Sequence, residues 1–405
     1  MTEHPDVPPI GGPPQEVGDG LALLDWLAHR RNKTPVWEDP ETGSFHVFRH
    51  ADAVAVLSDP GVFSSDFSAM APPPDPDLPN FTEGALSVTD PPMHGRLRGL
   101  ISQAFTPRTV AGLEKRIGEV TDDILDGLGD RTEIDLVPDI AYPLPVIVIA
   151  ELLGIPASDR DLFRRWAELL LPDVQEVKVG RLGDGPQPAE RARQLHMMCD
   201  YLLSHVRDRR TNDRGDLISR LVAVEQDGHR ITDDQAVNFS AFLLLAGHLT
   251  TTLLLGNALL CLQEEPEAME RLRGDRSLIP VAVEETLRHR PPVVFQYRLT
   301  KEDTEVGGVP VPAGRIVVGW VLSANRDEER FPEPDRFLLD RGTVPHLTFS
   351  HGIHYCLGAP LARMEAAILF ERLMARYGSI VCGEPIHQRR PDVFGVKSLP
   401  LRLGR

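Results

Sequence analysis

The sequence predicts a mainly α-helical fold with a minor β region, and three observations carry that expectation. Apolar residues recur on a helical period through most of the middle of the chain, over 93–105, 109–128, 143–153, 158–171, 189–209, 216–226 and 232–262. Strand-like runs are short and lie around 35–48, 305–321 and 378–405. The stretch 241–262 holds no Asp, Glu, Lys or Arg, as a helix buried on all sides would. A membrane span of that length is the alternative, but Gly247, His248, three consecutive threonines and Asn257 favour a buried central helix in a soluble protein.

Taken in order, residues 1–20 are rich in proline and glycine and are expected to be irregular, with no signal peptide. Residues 21–31 read as a helix. Pro35-Val36-Trp37-Glu38 and Ser44-Phe45-His46-Val47-Phe48 flank Asp39-Pro40-Glu41-Thr42-Gly43, a hairpin signal. A short helix over 51–57 stops at Asp59-Pro60. Residues 62–89 form a long proline-rich stretch, and structureless loops of such length tend to be functional. A second flexible segment, 172–188, carries Gly180, Gly183, Gly185, Pro186 and Pro188. Thr232 and Gln235 make a capping-box pair that fixes the start of the central helix. No internal repeat appears, and a single domain over 1–405 is expected.

Composition narrows the function. The 405 residues are 41% hydrophobic, enough for a large core. A net charge of −17 argues against nucleic-acid binding and against docking on anionic lipid. Cys199, Cys261, Cys356 and Cys382 are widely spaced, so neither a disulfide framework nor a zinc knuckle is suggested, and a reducing cytoplasm fits.

The most informative stretch is Phe349-Ser350-His351-Gly352-Ile353-His354-Tyr355-Cys356-Leu357-Gly358-Ala359-Pro360-Leu361-Ala362-Arg363. Ala359-Pro360 opens an apolar-periodic run, and proline suits a first helical turn. The thiol of Cys356 therefore lies just ahead of a helix N-terminus, where a thiolate is favoured. Gly352 and Gly358 would let the backbone approach a flat ligand and turn amides toward sulfur. Alone, such a cysteine could be a small buried hydrophobe. The pattern Phe-Ser-x-Gly-x-His-x-Cys-x-Gly resembles the cysteine-ligand loop of the cytochromes P-450, the haem-thiolate monooxygenases. The resemblance extends over essentially the whole chain and implies their fold around one buried haem b. It implies Cys356 as the axial iron ligand, Phe349 packed beside the sulfur and His354 directed at a haem propionate. Ser350 departs from the pattern, standing where glycine is more usual. A thiolate ligand favours O–O bond cleavage.

Other segments gain meaning from the same likeness. Ala246-Gly247-His248-Leu249-Thr250-Thr251 stands mid-helix, where glycine costs about 1 kcal/mol relative to alanine. It resembles the family's oxygen-binding motif, in which Ala246 and Gly247 would leave room over the haem and Thr250 would help deliver protons. A threonine bonding back to its own helix is the alternative for Thr250. Leu249 occupies the position where the family usually has Asp or Glu, which leaves water through Thr250, a polar group of the substrate, or His248 as proton routes. His94 and Arg98, four apart on one helix face, form a solvated face by themselves or, by resemblance, a propionate site together with Arg298 and His354. Glu285 and Arg288 match the family's buried Glu-x-x-Arg, with Arg336 as the candidate third member of that scaffold.

The substrate pocket implied by resemblance would be walled by Phe81, Leu86, Leu244, Leu245, Leu249, Val293, Val294, Phe295 and Phe394, with 172–188 as a lid. The chain looks most like soluble actinobacterial tailoring members, which hydroxylate or epoxidise polyketides, macrolides or similar secondary metabolites. Electrons would come from a ferredoxin and its reductase, docking where Arg363 and Arg98 offer positive charge. A haem-binding sensor or carrier-recruiting module, and a peroxide-driven peroxygenase, are the rival readings.

Overall fold

The computed structural model describes residues 12–13, 20–70, 79, 84–170, 189–342 and 345–404. The segments 71–78, 81–83 and 171–188, and with them Phe81 and the expected lid, lie outside the described residues. Among the described residues helices are the main regular structure, and the central one, Asp233–Glu264, organises the rest. Its start is fixed as the capping box requires: the Thr232 hydroxyl accepts from the Gln235 N–H, and the Gln235 side chain accepts from the Thr232 N–H, both at 3.1 Å. The helix is long and apolar enough to cross a membrane, yet most of its apolar stretch is buried inside the fold. Around it pack Pro143–Leu152, Ala189–Arg209, Ile279–His289 and Ala359–Arg376.

Strands form a smaller layer. One five-stranded sheet runs in the order Val36–Glu38, Phe45–Val47, Ile316–Gly319, Gln296–Thr300, Phe63–Ser64, parallel only between the second and third. A three-stranded sheet joins Ser379–Cys382, Pro400–Gly404 and Glu133–Asp135. Against the first sheet lies an aromatic cluster of Trp26, Phe48, Phe295, Trp320 and Phe394, separate from the helical core. His46 serves it as an acceptor for the Trp320 indole N–H at 3.0 Å, and burial pushes its pKa down to about 3.

Two helical expectations are corrected. The run 109–128 breaks at Gly112-Leu113 into Pro107–Ala111 and Glu114–Gly127. The helix expected over 216–226 ends at Ala223, because Glu225–Gln226 turns back to pair with His229–Arg230 through Asp227-Gly228, both with positive φ.

The scaffold behind the cysteine loop is an ion cluster around Glu285, whose side chain is 4% exposed. Arg288 meets both its oxygens at 2.8 Å. The second guanidinium is that of Arg341, whose Nε reaches the same oxygens at 3.0 and 3.2 Å. Arg336 is not the third member: its side chain is exposed and bonded to Glu333, and only its carbonyl accepts from Arg288. Arg336 closes a turn from Glu333, its N–H donating to the Glu333 carbonyl at 3.1 Å, and the brief helical turn Leu339–Arg341 brings the later arginine inward. Arg288 also donates to the carbonyl of Asn325. Asn325 in turn accepts from the Leu347 N–H and donates to the Thr348 hydroxyl, which donates to the Leu287 carbonyl. The segment entering the cysteine loop is thereby fixed from both sides.

Removing one partner from a buried ion cluster strands the others in a medium that cannot solvate them. Glu285→Ala is therefore expected to destabilise the fold by about 3–5 kcal/mol, read from chemical denaturation, whereas Arg336→Ala should shift it by less than ~0.5 kcal/mol. Equal effects of the two would contradict the assignment of Arg341.

Candidate active site

The cysteine loop is a tight turn made by two left-handed residues. Gly352 has φ +65°, and a Cβ there would approach the Leu57 carbonyl to 3.1 Å. Ser350 has φ +63°, so the position where glycine is more usual does adopt a glycine-like backbone. Its hydroxyl is buried without a partner. The Cys356 N–H donates to the Phe349 carbonyl at 2.8 Å, closing the loop, and Ala359–Arg376 starts three residues later. Gly358 is not required by crowding at the sulfur, since a Cβ there would lie 3.9 Å from Sγ.

The helix start pulls the Cys356 thiol toward the thiolate, and burial opposes it. Burial pushes the Cys356 thiol above its ordinary value, although the N–H groups of Gly358 and Ala359 and the charges of Arg98 and Arg363 pull it down. The helix start alone does not ionise this sulfur; a bound cation would. Phe349 packs beside the loop, with the Arg363 guanidinium 4.5 Å from its ring. That guanidinium is also paired with Glu284.

A cavity of about 340 Å³ lies between the cysteine loop and the central helix. The helix contributes Phe239, Phe242, Leu243, Ala246, Gly247 and Thr250, followed by Thr251 and Leu254, a single face at spacings of three and four. Leu244 and Leu245 are not on it. Leu244 belongs to the helical core, and the cavity takes Phe242 and Leu243 instead. Leu249 is also off the cavity wall, and so is His248, which is buried with Nδ1 2.8 Å from the Leu244 carbonyl and its ring against Tyr142. The His248 proton route is therefore set aside. Thr250 does donate back to the Ala246 carbonyl at 2.6 Å. A Cβ at Gly247 would come within 2.6 Å of Ile149 Cδ1, so the end of that side chain would have to move.

Elsewhere on the wall are Leu86, Ser87, Val293 and Gln296. Val294, Phe295 and Phe394 belong to the aromatic cluster by the first sheet. Val293, held by an isolated bridge to Val393, is the one residue of the expected segment 293–295 that reaches the cavity. Gln296 lies three residues on from Val293, at the start of the strand Gln296–Thr300, and its place directly after the expected wall segment 293–295 was the signal that could have found it. Glu365, fully buried on the cavity wall, has no such signal.

At one end of the cavity four cation-capable groups converge. The rings of His94 and His354 meet edge to face with centroids 4.6 Å apart. Arg98 and Arg298 line the same wall, and His354 Nε2 lies 2.9 Å from the Ser65 hydroxyl. Burial, with Arg298 next, drives the His354 pKa down to about 4, and burial lowers Arg298 to about 10. The His94 pKa falls through burial and the charge of Arg98. Arg298 Nη2 and His94 Nε2 are buried without partners. Asp90, the acid that acts on His94, Arg298 and His354, is bonded to Lys301, Ser64 and the Ser65 N–H. Orphaned donors beside the guanidiniums of Arg98 and Arg298 fit a ligand with carboxylates, and the sulfur fits its metal, so the residues present suit a haem.

Comparison with known proteins agrees over nearly the full length. A family model described as Cytochrome P450 matches residues 190–403. An erythromycin C-12 hydroxylase of Saccharopolyspora erythraea is 44% identical over 396 residues, covering 96% of each chain. A cyclomarin C epoxidase of Salinispora arenicola is 43% identical, covering 96% of this chain and 97% of its own. The ligand-free structure of Cytochrome P450 TbtJ1 superposes with a TM-score of 0.86 at 43% identity, covering 97% of this chain and all of that one.

Loss of a charge-assisted hydrogen bond costs about 1.5–3 kcal/mol. Arg298→Gln is thus expected to weaken haem retention roughly tenfold to a hundredfold, measured by transfer of haem to an excess of a competing apoprotein. Unchanged retention would remove Arg298 from the carboxylate site.

Proposed function

Because this chain belongs to the cytochrome P450 family, whose cofactor is haem b, we propose that it is a cytoplasmic haem-thiolate monooxygenase that hydroxylates or epoxidises a bulky, mostly apolar secondary metabolite. The observation that carries the reading is the placement of Cys356 and the Ala246-Gly247-Thr250 face on one cavity, with the cluster His94, Arg98, Arg298, His354 at its end. The two relatives at 43 and 44% identity are, by name, an epoxidase and a hydroxylase, which supports both reaction types.

In this reading haem supplies the site at which dioxygen, two electrons and two protons give one oxygen atom to the substrate and one to water. Cys356 would ligate it through Sγ, with the Gly358 and Ala359 N–H groups sharing the sulfur's charge. His94, Arg98, Arg298 and His354 would bind the propionates. The apolar side chains Leu86, Phe239, Phe242, Leu243 and Val293 would orient an apolar substrate and keep water out. Ser87 and Gln296 are the polar groups that could fix its register. Thr250 would hold a proton near the reacting oxygen once its hydroxyl leaves the Ala246 carbonyl. Leu249 cannot carry one. A ferredoxin and its reductase would supply electrons one at a time.

The reduced carbon monoxide complex is expected to show the absorption of a thiolate-ligated haem, and Cys356→Ser to lose that signature while retaining the fold by circular dichroism. A histidine-type spectrum in the native chain would overturn the assignment. Product formation with ferredoxin, reductase and dioxygen, against none with peroxide alone, distinguishes this reading from a peroxygenase.

A further inference from the structure

Two side-chain charges reach the Cys356 sulfur, those of Arg98 and Arg363. Arg98 lies at the carboxylate-binding end of the cavity, where a propionate would offset it. Arg363 is offset from within the chain. Its Nε donates to Glu284 Oε1 and its Nη2 to Oε2 at 3.0 Å, a two-pronged pair that fixes direction as well as distance. The remaining nitrogen, Nη1, lies 3.4 Å from the Tyr355 hydroxyl, and the guanidinium carbon stands 4.5 Å from the centre of the Phe349 ring. The arginine is thus held from three sides beside the residues that flank the sulfur.

Glu284 and Glu285 are neighbours on Ile279–His289 with separate duties. Glu285 is sealed in the scaffold with Arg288 and Arg341. Glu284, 25% exposed, turns instead toward the cysteine loop, where His346 Nε2 comes within 3.4 Å of its Oε2. Burial would raise the Glu284 carboxyl, but hydrogen bonds from His346 and Arg363 outweigh it and bring the pKa down to about 2. The group is a carboxylate at neutral pH. The entry to the loop is already held through Arg288, Asn325 and Thr348, and a half-exposed ion pair contributes little to stability. What the pair does change is the field at the sulfur.

Reduction of a bound haem adds one electron and no proton, so the iron–thiolate unit gains a full negative charge. A nearby cation favours that gain and a nearby anion opposes it. The Phe349 ring, 8% exposed, keeps water from much of the space between, so the charges act through a medium less polar than water. We propose that Glu284 is a positioning residue that sets the reduction potential of the haem: it holds the Arg363 guanidinium over Phe349 and cancels most of its charge at Cys356, keeping the potential below the value the arginine alone would give. The inference rests on the haem-thiolate reading above.

Spectroelectrochemical titration of the substrate-free haem protein at about pH 8, above the ordinary histidine pKa, tests it. Glu284→Gln should raise the ferrous-to-ferric ratio at a fixed applied potential about threefold to tenfold, which is roughly 30–60 mV upward. Arg363→Gln, which leaves the carboxylate alone, should move the potential downward, and the double variant should return close to native. Loosening of the loop would move all three in one direction. Shifts of one sign, or no shift in Glu284→Gln, would overturn the proposal. Should Glu284→Gln fail to fold, Arg363→Lys, which keeps the charge, should stay near native while Arg363→Gln falls; equal shifts in these two would overturn it as well. A native carbon monoxide complex without the thiolate signature would instead overturn the monooxygenase reading itself.

Discussion

One buried carboxylate, Glu285, sets the geometry on which the cysteine loop depends. Two guanidiniums, from Arg288 three residues on and from Arg341 far along the chain, share its oxygens. Arg288 carries the constraint outward to Asn325, and Asn325 carries it to Leu347 and Thr348 at the mouth of the loop. Arg341 spreads it across the preceding meander by donating to the carbonyls of Pro332, Glu333 and Arg336. Each bond alone contributes about 1 kcal/mol. Together they hold irregular backbone, which no helix or sheet ladder could fix, in one arrangement.

The opposing wall is fixed differently, by shape. Along the central helix small residues stand where another element must come close: Gly247 against Ile149, and Gly256 against Val396. Burial on nearly all sides then decides which side chains look into the cavity, and a shift of one residue in that phase exchanges Leu243 for Leu244. Thr252, one step past the cavity face, shows the alternative fate of a hydroxyl here: it bonds to the carbonyls of Ala141 and His248 and ties two helices together.

Features written locally were legible in the sequence. The Thr232 capping box, the hairpin around Asp39–Gly43 and the cysteine loop each depend on residues within a few positions of one another, and their letters specify them. Features fixed by distant packing were not. A meander with no periodicity decides whether Arg336 or Arg341 turns inward. A helix apolar all round carries no phase, so Leu244, Leu245 and Leu249 were indistinguishable from Phe242 and Leu243. The thiol of Cys356 illustrates competing effects: its position at a helix start was readable, but the degree of its burial was not, and burial prevailed. Glu365 was invisible for the same reason, since a glutamate in a helix looks solvated until its neighbours are known.

Three of the four tryptophans, Trp26, Trp37 and Trp320, sit together beside the five-stranded sheet, with Trp26 5.3 Å from Trp320 and 6.1 Å from Trp37. Arg30 lies 3.9 Å over the Trp37 ring. Indoles this close exchange excitation, so emission and near-ultraviolet dichroism from this chain are weighted toward one corner of the molecule. An optical melt would chiefly follow the sheet and its aromatic packing, with Trp166 the one tryptophan to report on the helical core.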